Sequence, residues 1–111
     1  MARPNPAFMS GVPEFSILRL LAQRDMYGYE LVKSIRAASG NAFNLAEGVI
    51  YPILHGLEAQ GALKSKEAMV NGRVRVYYRV TPKGRRRLEK LSQQWDRVSS
   101  GVRSLLEQSY A

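Results

Sequence analysis

Between Asn44 and Gly84 the chain sets an amphipathic helical segment directly ahead of two extended, arginine-bearing segments joined by Asn71-Gly72. Few folds accommodate that order. In the first segment Asn44 is positioned as an N-cap, Glu47 lies three residues on as its reciprocal partner, and Gly61 sits where a left-handed stop belongs. Val49, Ile50, Ile53, Leu54 and Leu57 fall on one face at helical spacing, with Glu47, Gly48, Tyr51, His55 and Glu58 on the other. One face is expected to pack, which leaves the other to meet a partner.

The segments after Gly61 run from Leu63 to Val70 and from Arg73 to Val80, and Asn-Gly between them predicts a two-residue type I′ hairpin turn. In the second strand Val74, Val76, Tyr78 and Val80 alternate with Arg73, Arg75, Tyr77 and Arg79, so the apolar row is expected inward and the basic row toward solvent or phosphate. A helix followed by such a blade predicts a winged helix-turn-helix. Its candidate DNA-contacting residues are Asn44, Gly48, Tyr51, Pro52 and His55 of the helix segment, with Arg73 and Arg75 of the wing.

Upstream, residues 1–11 read as an arm bearing proline and glycine, with room for a short helix through Ala7, Phe8 and Met9. Pro13 suits the first turn of a helix with apolar Phe15, Ile17, Leu18, Leu20 and Leu21 that ends near Arg24-Asp25. Tyr27-Gly28-Tyr29 leads into a second helix over Glu30 to Ala38, with Leu31, Val32, Ile35 and Ala38 in a stripe and Ser39-Gly40-Asn41 as its stop. The expected fold is mainly α with a small β-hairpin (α+β): an arm at 1–11, a winged helix-turn-helix at 12–80, and a C-terminal dimerisation helix at 81–111.

That last helix opens at Thr81-Pro82 as N-cap and N1. Leu88, Leu91, Trp95, Val98, Val102 and Leu105 then recur at alternating intervals of three and four, a heptad seam. Extending from Pro82 to about Ser109, the helix would be about 42 Å long at roughly 1.5 Å per residue, longer than a small core needs. The seam predicts a homodimer; the alternative is that it folds back on its own domain. Gly84 and Gly101 weaken the helix by about 1 kcal/mol each relative to alanine.

Charge points the same way. The formal net charge is +8, and residues 73–90 hold eight lysines and arginines against Glu89 alone. Placed beside a helix and hairpin of groove dimensions, that cluster suits nucleic acid better than a merely solubilising surface. Cysteine is absent, which removes disulfides, thiolate metal sites and thiol nucleophiles. No targeting or membrane-spanning segment is visible, and a cytoplasmic location is expected.

Catalysis has little material. His55 is the only histidine, with Glu58 alone at metal-ligand spacing; the carboxylates are dispersed, and no phosphate-cradling glycine loop occurs. No enzymatic activity, cofactor or metal is expected. Pro52 inside the helix crowds the carbonyl of Gly48, either as a tolerated kink or as a bend that lets Gly48 and Tyr51 approach a DNA backbone. Trp95 sits in the seam among small residues, either as packing or as one wall of an opening that admits a flat apolar molecule.

Taken together, Tyr27-Gly28-Tyr29-Glu30-Leu31, the G-x-x-Y-P-x-L-x-x-L-E-x-x-G run at 48–61 and the Y-Y-x-x-T-x-x-G run at 77–84 resemble the PadR family of transcriptional regulators. The resemblance spans nearly the whole chain. It implies a dimeric winged-helix repressor, in the short branch with one C-terminal helix, and the two recognition helices of such a dimer are expected to meet a palindromic operator. Some members of that branch sense multiple drugs, and a tryptophan on the terminal helix stacks on planar ligands there. Trp95, with Val98 and Ser99 beside it, matches that place, although Ser99 stands where a drug-binding relative can carry an acid. The seam residues Leu88, Leu91, Trp95, Val98, Val102 and Leu105 would form the dimer interface. Two rival readings remain from the residues themselves: a winged-helix module that binds protein without specific DNA binding, and a sequence-tolerant RNA- or DNA-coating protein.

Overall fold

The computed structural model describes residues 8–108. Four helices, α1 (Val12–Leu21), α2 (Gly28–Ala38), α3 (Glu47–Ala59) and α4 (Pro82–Glu107), surround a three-stranded antiparallel sheet of β1 (Met26–Tyr27), β2 (Leu63–Val70) and β3 (Arg73–Val80) in the order β1-β3-β2. This is the winged-helix arrangement, an α+β fold. Ile17, Leu18 and Leu21 of α1, Leu31 and Ile35 of α2, and Ile50, Leu54 and Leu57 of α3 meet Met26, Leu63, Tyr78 and Val80 of the sheet in one core. No helix among the described residues is long and apolar enough to cross a membrane.

Local signals fix most of the ends. At the hairpin turn Asn71 and Gly72 both have positive φ, 50° and 76°, as a type I′ turn requires. Gly61 takes φ 78° and closes α3: its N–H donates to the Glu58 carbonyl and that of Ala62 to the Leu57 carbonyl, the two bonds of a Schellman stop. At the end of α2, Gly40 and Asn41 repeat the pattern on the carbonyls of Ala37 and Arg36. Thr81 caps α4, accepting a bond from the Gly84 N–H at 3.1 Å.

Several expectations are corrected. The N-cap of α3 is Ala46, with no side-chain cap, and Asn44 lies exposed in the preceding loop. Leu45 is buried instead, so anchoring that side chain in the core, rather than capping, sets where the helix begins. α1 stops at Leu21, short of Arg24-Asp25, because Met26 and Tyr27 pair with Tyr78 and Tyr77 as an extra strand and α2 follows at once from Gly28. The expected short helix through Ala7 lies partly outside the described residues; Phe8 to Gly11 form a turn. α4 ends at Glu107, and Ser109 also lies outside them.

The apolar rows divide as well. Tyr78 and Val80 are buried, but Val74, nearer the turn, is 59% exposed, and Val76 and Met69 are exposed too. The hairpin outruns the core it packs on. Along α4, Leu88 and Leu91 pack on this chain's own core, whereas Trp95, Val98, Val102 and Leu105 are exposed. Only the first part of the seam is therefore covered by this chain's own core.

Among the glycines, Gly84 lies closest against its surroundings. A Cβ there would overlap the Ala62 carbonyl oxygen and lie 2.9 Å from Cγ1 of Val80. Helix propensity alone favours alanine at this position by about 1 kcal/mol. Overpacking against fixed backbone costs about 1–3 kcal/mol, so Gly84→Ala is expected to lower the thermal midpoint by several degrees. Gly56→Ala is the control. It sits inside α3 with nothing within 4 Å of its added Cβ, and calorimetry should show it raising the midpoint.

Candidate nucleic-acid interface

α3 presents Gly48, Val49, Pro52, His55 and Gly56 to solvent. This face is rotated from the expected one. Val49, expected to pack, is 43% exposed, and Tyr51, expected outside, is half-buried. The cause lies on α2: Gly28 leaves a gap that the Tyr51 ring fills so closely that any Cβ at residue 28 would run into it. Tyr51 is thereby packed between the two helices, with the exposed His55 ring 6.1 Å away. Pro52, at the sixth helical position and exposed, removes a backbone donor on the solvent side.

The wing's basic face is graded from tip to base. Arg73 is exposed beside the turn. Arg75 lies with its guanidinium 4.3 Å from the centroid of the Tyr27 ring, and its Nε is buried without a hydrogen-bond partner. Tyr77 meets the same ring edge-on at 5.4 Å. Arg79 binds Asp25 through Nε at 3.2 Å and through its terminal nitrogen at 2.9 Å. That hydrogen bond and the Asp25 charge raise the Arg79 pKa still further. Burial, with Glu58 and Tyr51 nearby, raises the pKa of the Tyr78 phenol.

The row expected to be uniformly free thus contains one exposed cation, one stacked cation and one salt-bridged cation. β1 accounts for the difference. It supplies Tyr27 to Arg75 and Tyr77, and Asp25 just before it binds Arg79. Lys64 and Lys66 of β2, opposite Arg79 and Tyr77, add two exposed cations that the sequence reading did not single out. Their signal was the register set by Asn71-Gly72. On α2, Tyr29 is also exposed, with the Lys33 ammonium 5.4 Å from its ring.

On α4, Trp95 is 54% exposed and Val98 lies on the same open stripe. Ser99 is half-buried, and its hydroxyl donates at 3.4 Å to the Asp96 carbonyl. Among the described residues no group of three or more His, Asp or Glu side chains could hold a metal ion.

The profile of the PadR-like transcriptional regulator family matches residues 17–90, from the core of α1 through the wing to the first turns of α4. A transcriptional regulator of Mycobacterium tuberculosis is 36% identical over 78 residues, covering 70% of this chain and 70% of that protein. A protein of Lysinibacillus sphaericus is 32% identical over 92 residues, covering 82% of this chain and 84% of its own. Among solved structures, a PadR-like transcriptional regulator from Bacillus cereus superposes with a TM-score of 0.82 at 32% identity, covering 93% of this chain and 99% of that one. A PadR family transcriptional regulator from Eggerthella lenta gives a TM-score of 0.78 at 34% identity, covering 93% of this chain and 88% of that one. The chain belongs to the PadR-like family of transcriptional regulators, not to a family of enzymes.

Proposed function

We propose that this regulator is a homodimeric repressor that binds a palindromic operator through α3 and the wing, and that a planar aromatic ligand releases it. The reading is carried by the exposed α3 face of Gly48, Val49, Pro52 and His55 lying in the same winged unit as Arg73, Lys64 and Lys66. Helix and wing together suit a major groove and its flanking backbone. Asn44 and Arg75 join them as candidate contacts, and Tyr51 acts by setting the position of α3 on α2. The two half-sites would lie about 34–36 Å apart. The apolar wing flank of Met69, Val74 and Val76 favours a second reading, a protein-binding module. Selection of bound duplexes from a random pool separates the two: an enriched palindrome supports the repressor, and no enrichment supports the module.

Duplex binding is expected to weaken steeply with salt, with a log-log slope of roughly −0.9 per phosphate contact. Arg73→Ala should weaken operator and random duplex alike and flatten the slope by about one contact. His55→Ala should cost about 1–3 kcal/mol on the operator alone. Fluorescence anisotropy across a salt series measures both, and a flat response would refute the assignment.

Dimerisation is assigned to the exposed stripe Trp95, Val98, Val102 and Leu105, with Leu88 and Leu91 bracing its start from inside the domain. Val98→Asp is expected to give monomers in sedimentation at micromolar concentration and to weaken operator binding sharply. Wild-type monomers under those conditions would exclude the stripe as the interface.

Trp95, with Val98 and Ser99, is the proposed ligand site. It is the only tryptophan, so its fluorescence reports the site alone. Planar aromatic compounds should quench it in folded protein and not in urea, aided by about 0.5–1.5 kcal/mol per stacked pair. Trp95→Ala should abolish the accompanying binding heat. Equal quenching in folded and unfolded protein would return Trp95 to a purely structural role.

A further inference from the structure

Of the eight cations from Arg73 to Lys90, Arg75 is stacked on Tyr27 and Arg79 is bound to Asp25, and the other six separate on folding into two groups. Arg73 lies beside the hairpin turn, while Lys83, Arg85, Arg86, Arg87 and Lys90 occupy the first turns of α4, past the other end of β3. Eight extended residues at roughly 3.3 Å each hold these groups about 26 Å apart along the strand. A duplex seated on the turn and the start of α3 is engaged far from the α4 cluster.

At that far end, the last residues of α3 and the first turns of α4 enclose a recess of about 360 Å³, lined by Gln60, Ala62, Lys83, Arg86, Arg87 and Lys90. The four cations follow one another at i, i+3, i+4 and i+7 and share an arc of roughly 100° on the helix. No carboxylate lines the recess, and Glu89 falls outside the arc. Arg87 is already held, binding Glu14 through two nitrogens at 3.0 and 2.8 Å and Gln60 at 2.6 Å. Among the described residues Lys83, Arg86 and Lys90 have no carboxylate in salt-bridge range.

Folding alone gives no reason for this arrangement and several against it. Like charges three and four residues apart repel. Cations near the start of a helix oppose its dipole, and the first turn of α4 has no acid to offset them. The end of α3 does not call on Lys83, Arg86 or Lys90 either. Its Leu57 and Glu58 carbonyls accept from Ala62 and Gly61, the Gly61 carbonyl accepts from the Thr81 hydroxyl, and the Gln60 side chain accepts from Arg87. A bound anion would remove the repulsion and oppose no contact already made.

We propose that this recess binds a small anion carrying two or more linked phosphate groups, such as the diphosphate part of a nucleotide. Lys83 and Lys90 are seven residues apart, about 10 Å along the helix axis, more than a single phosphate tetrahedron spans. Arg86 between them supplies a planar fork, and the lysines supply mobile point charges. Arg87, fixed by Glu14 and Gln60, forms the wall, so an occupant would bridge the end of α3 and the start of α4.

Isothermal titration of the intact chain with tripolyphosphate, at fixed ionic strength and beside orthophosphate and sulfate, tests the site. Saturable binding of one tripolyphosphate per chain is expected, with a thermal midpoint that rises with its concentration. K83Q/R86Q/K90Q should weaken binding roughly tenfold or more and, relieved of repulsion, should melt no lower than wild type without anion. K64Q/K66Q/R73Q, the same charge change on the hairpin, should leave tripolyphosphate affinity within about twofold. Arg86→Glu alone gives the same reading should the triple variant misfold. Equal losses in the two triple variants, or orthophosphate binding as tightly as tripolyphosphate, would mean diffuse attraction to a basic protein and would overturn the proposal. So would absent saturation together with a larger loss of duplex affinity in K83Q/R86Q/K90Q than in the hairpin variant, which would assign the cluster to DNA.

Discussion

The contact between Gly84 and the Ala62 carbonyl decides how the parts of this molecule sit together. Around it α3 ends, β2 begins, β3 ends and α4 begins. Thr81 donates its hydroxyl to the Gly61 carbonyl at 2.6 Å and its N–H to the Ala62 carbonyl at 3.1 Å. One turn further on, Arg87 reaches back to Gln60 and across to Glu14 on α1. A side chain at position 84 would push α4 off this junction. With hydrogen, the closest approach the backbone allows, the helix that leaves the domain is registered directly to the end of the helix that faces outward. Any tilt of α4 about this point must carry the end of α3 with it or break these bonds. This is the mechanical requirement for linking an event on α4 to the orientation of α3.

The same economy of small residues governs the exposed surface. Gly28 admits the Tyr51 ring, so an aromatic residue that would otherwise project from α3 instead locks α3 to α2, and Val49 and His55 form the outward face. In the wing, Tyr27 draws Arg75 onto its ring and Asp25 ties down Arg79. Exposed pairs of the Arg79–Asp25 kind contribute about 0–1 kcal/mol, so the pair adds little to stability. Their consequence is geometric: one edge of the sheet is held by charge and aromatic contact, while Arg73 and the β2 lysines remain available.

How much of this was legible depends on the range of the interaction that fixes each feature. The hairpin turn, the Gly61 stop and the Thr81 cap are local, written in two to four residues, and the structure has them where Asn71-Gly72, Gly61 and Thr81-Pro82 place them. β1 has only Met26 and Tyr27, too short for any period, and exists because Tyr77 and Tyr78 pair with it. Asn44 has the chemistry of a cap, but burial of Leu45 sets the chain's path and the helix starts beyond it. Val74 and Val76 alternate as a packed row should. Alternation reports which face of a strand a side chain occupies and not whether a core extends beneath it. Tyr51 was misplaced for a related reason, since the gap it enters belongs to a glycine on another helix.

The second half of α4 raises an energetic question that its own domain does not answer. From Val98 through Val102 the helix consists of Val, Ser, Ser, Gly and Val, which together disfavour helix by about 3 kcal/mol relative to alanine. Leu88 and Leu91 anchor only the first half, and Leu105 remains 64% exposed. Isolated helical segments of this length are marginal in water even with favourable residues. Sequences that keep an apolar stripe on such a segment do so where another surface covers it. Trp95, Val98, Val102 and Leu105 are only about half exposed, so covering them with a second copy would contribute about half of the usual 1.5–3 kcal/mol per large side chain, enough to offset the poor propensity. On the dimer reading, the weak helix formers around Trp95 then have a role of their own. They hold the second half of α4 only as firmly as its partner does, so a ligand that alters the packing there acts on the segment with the least intrinsic stability, while the junction at Gly84 keeps the first half fixed to α3.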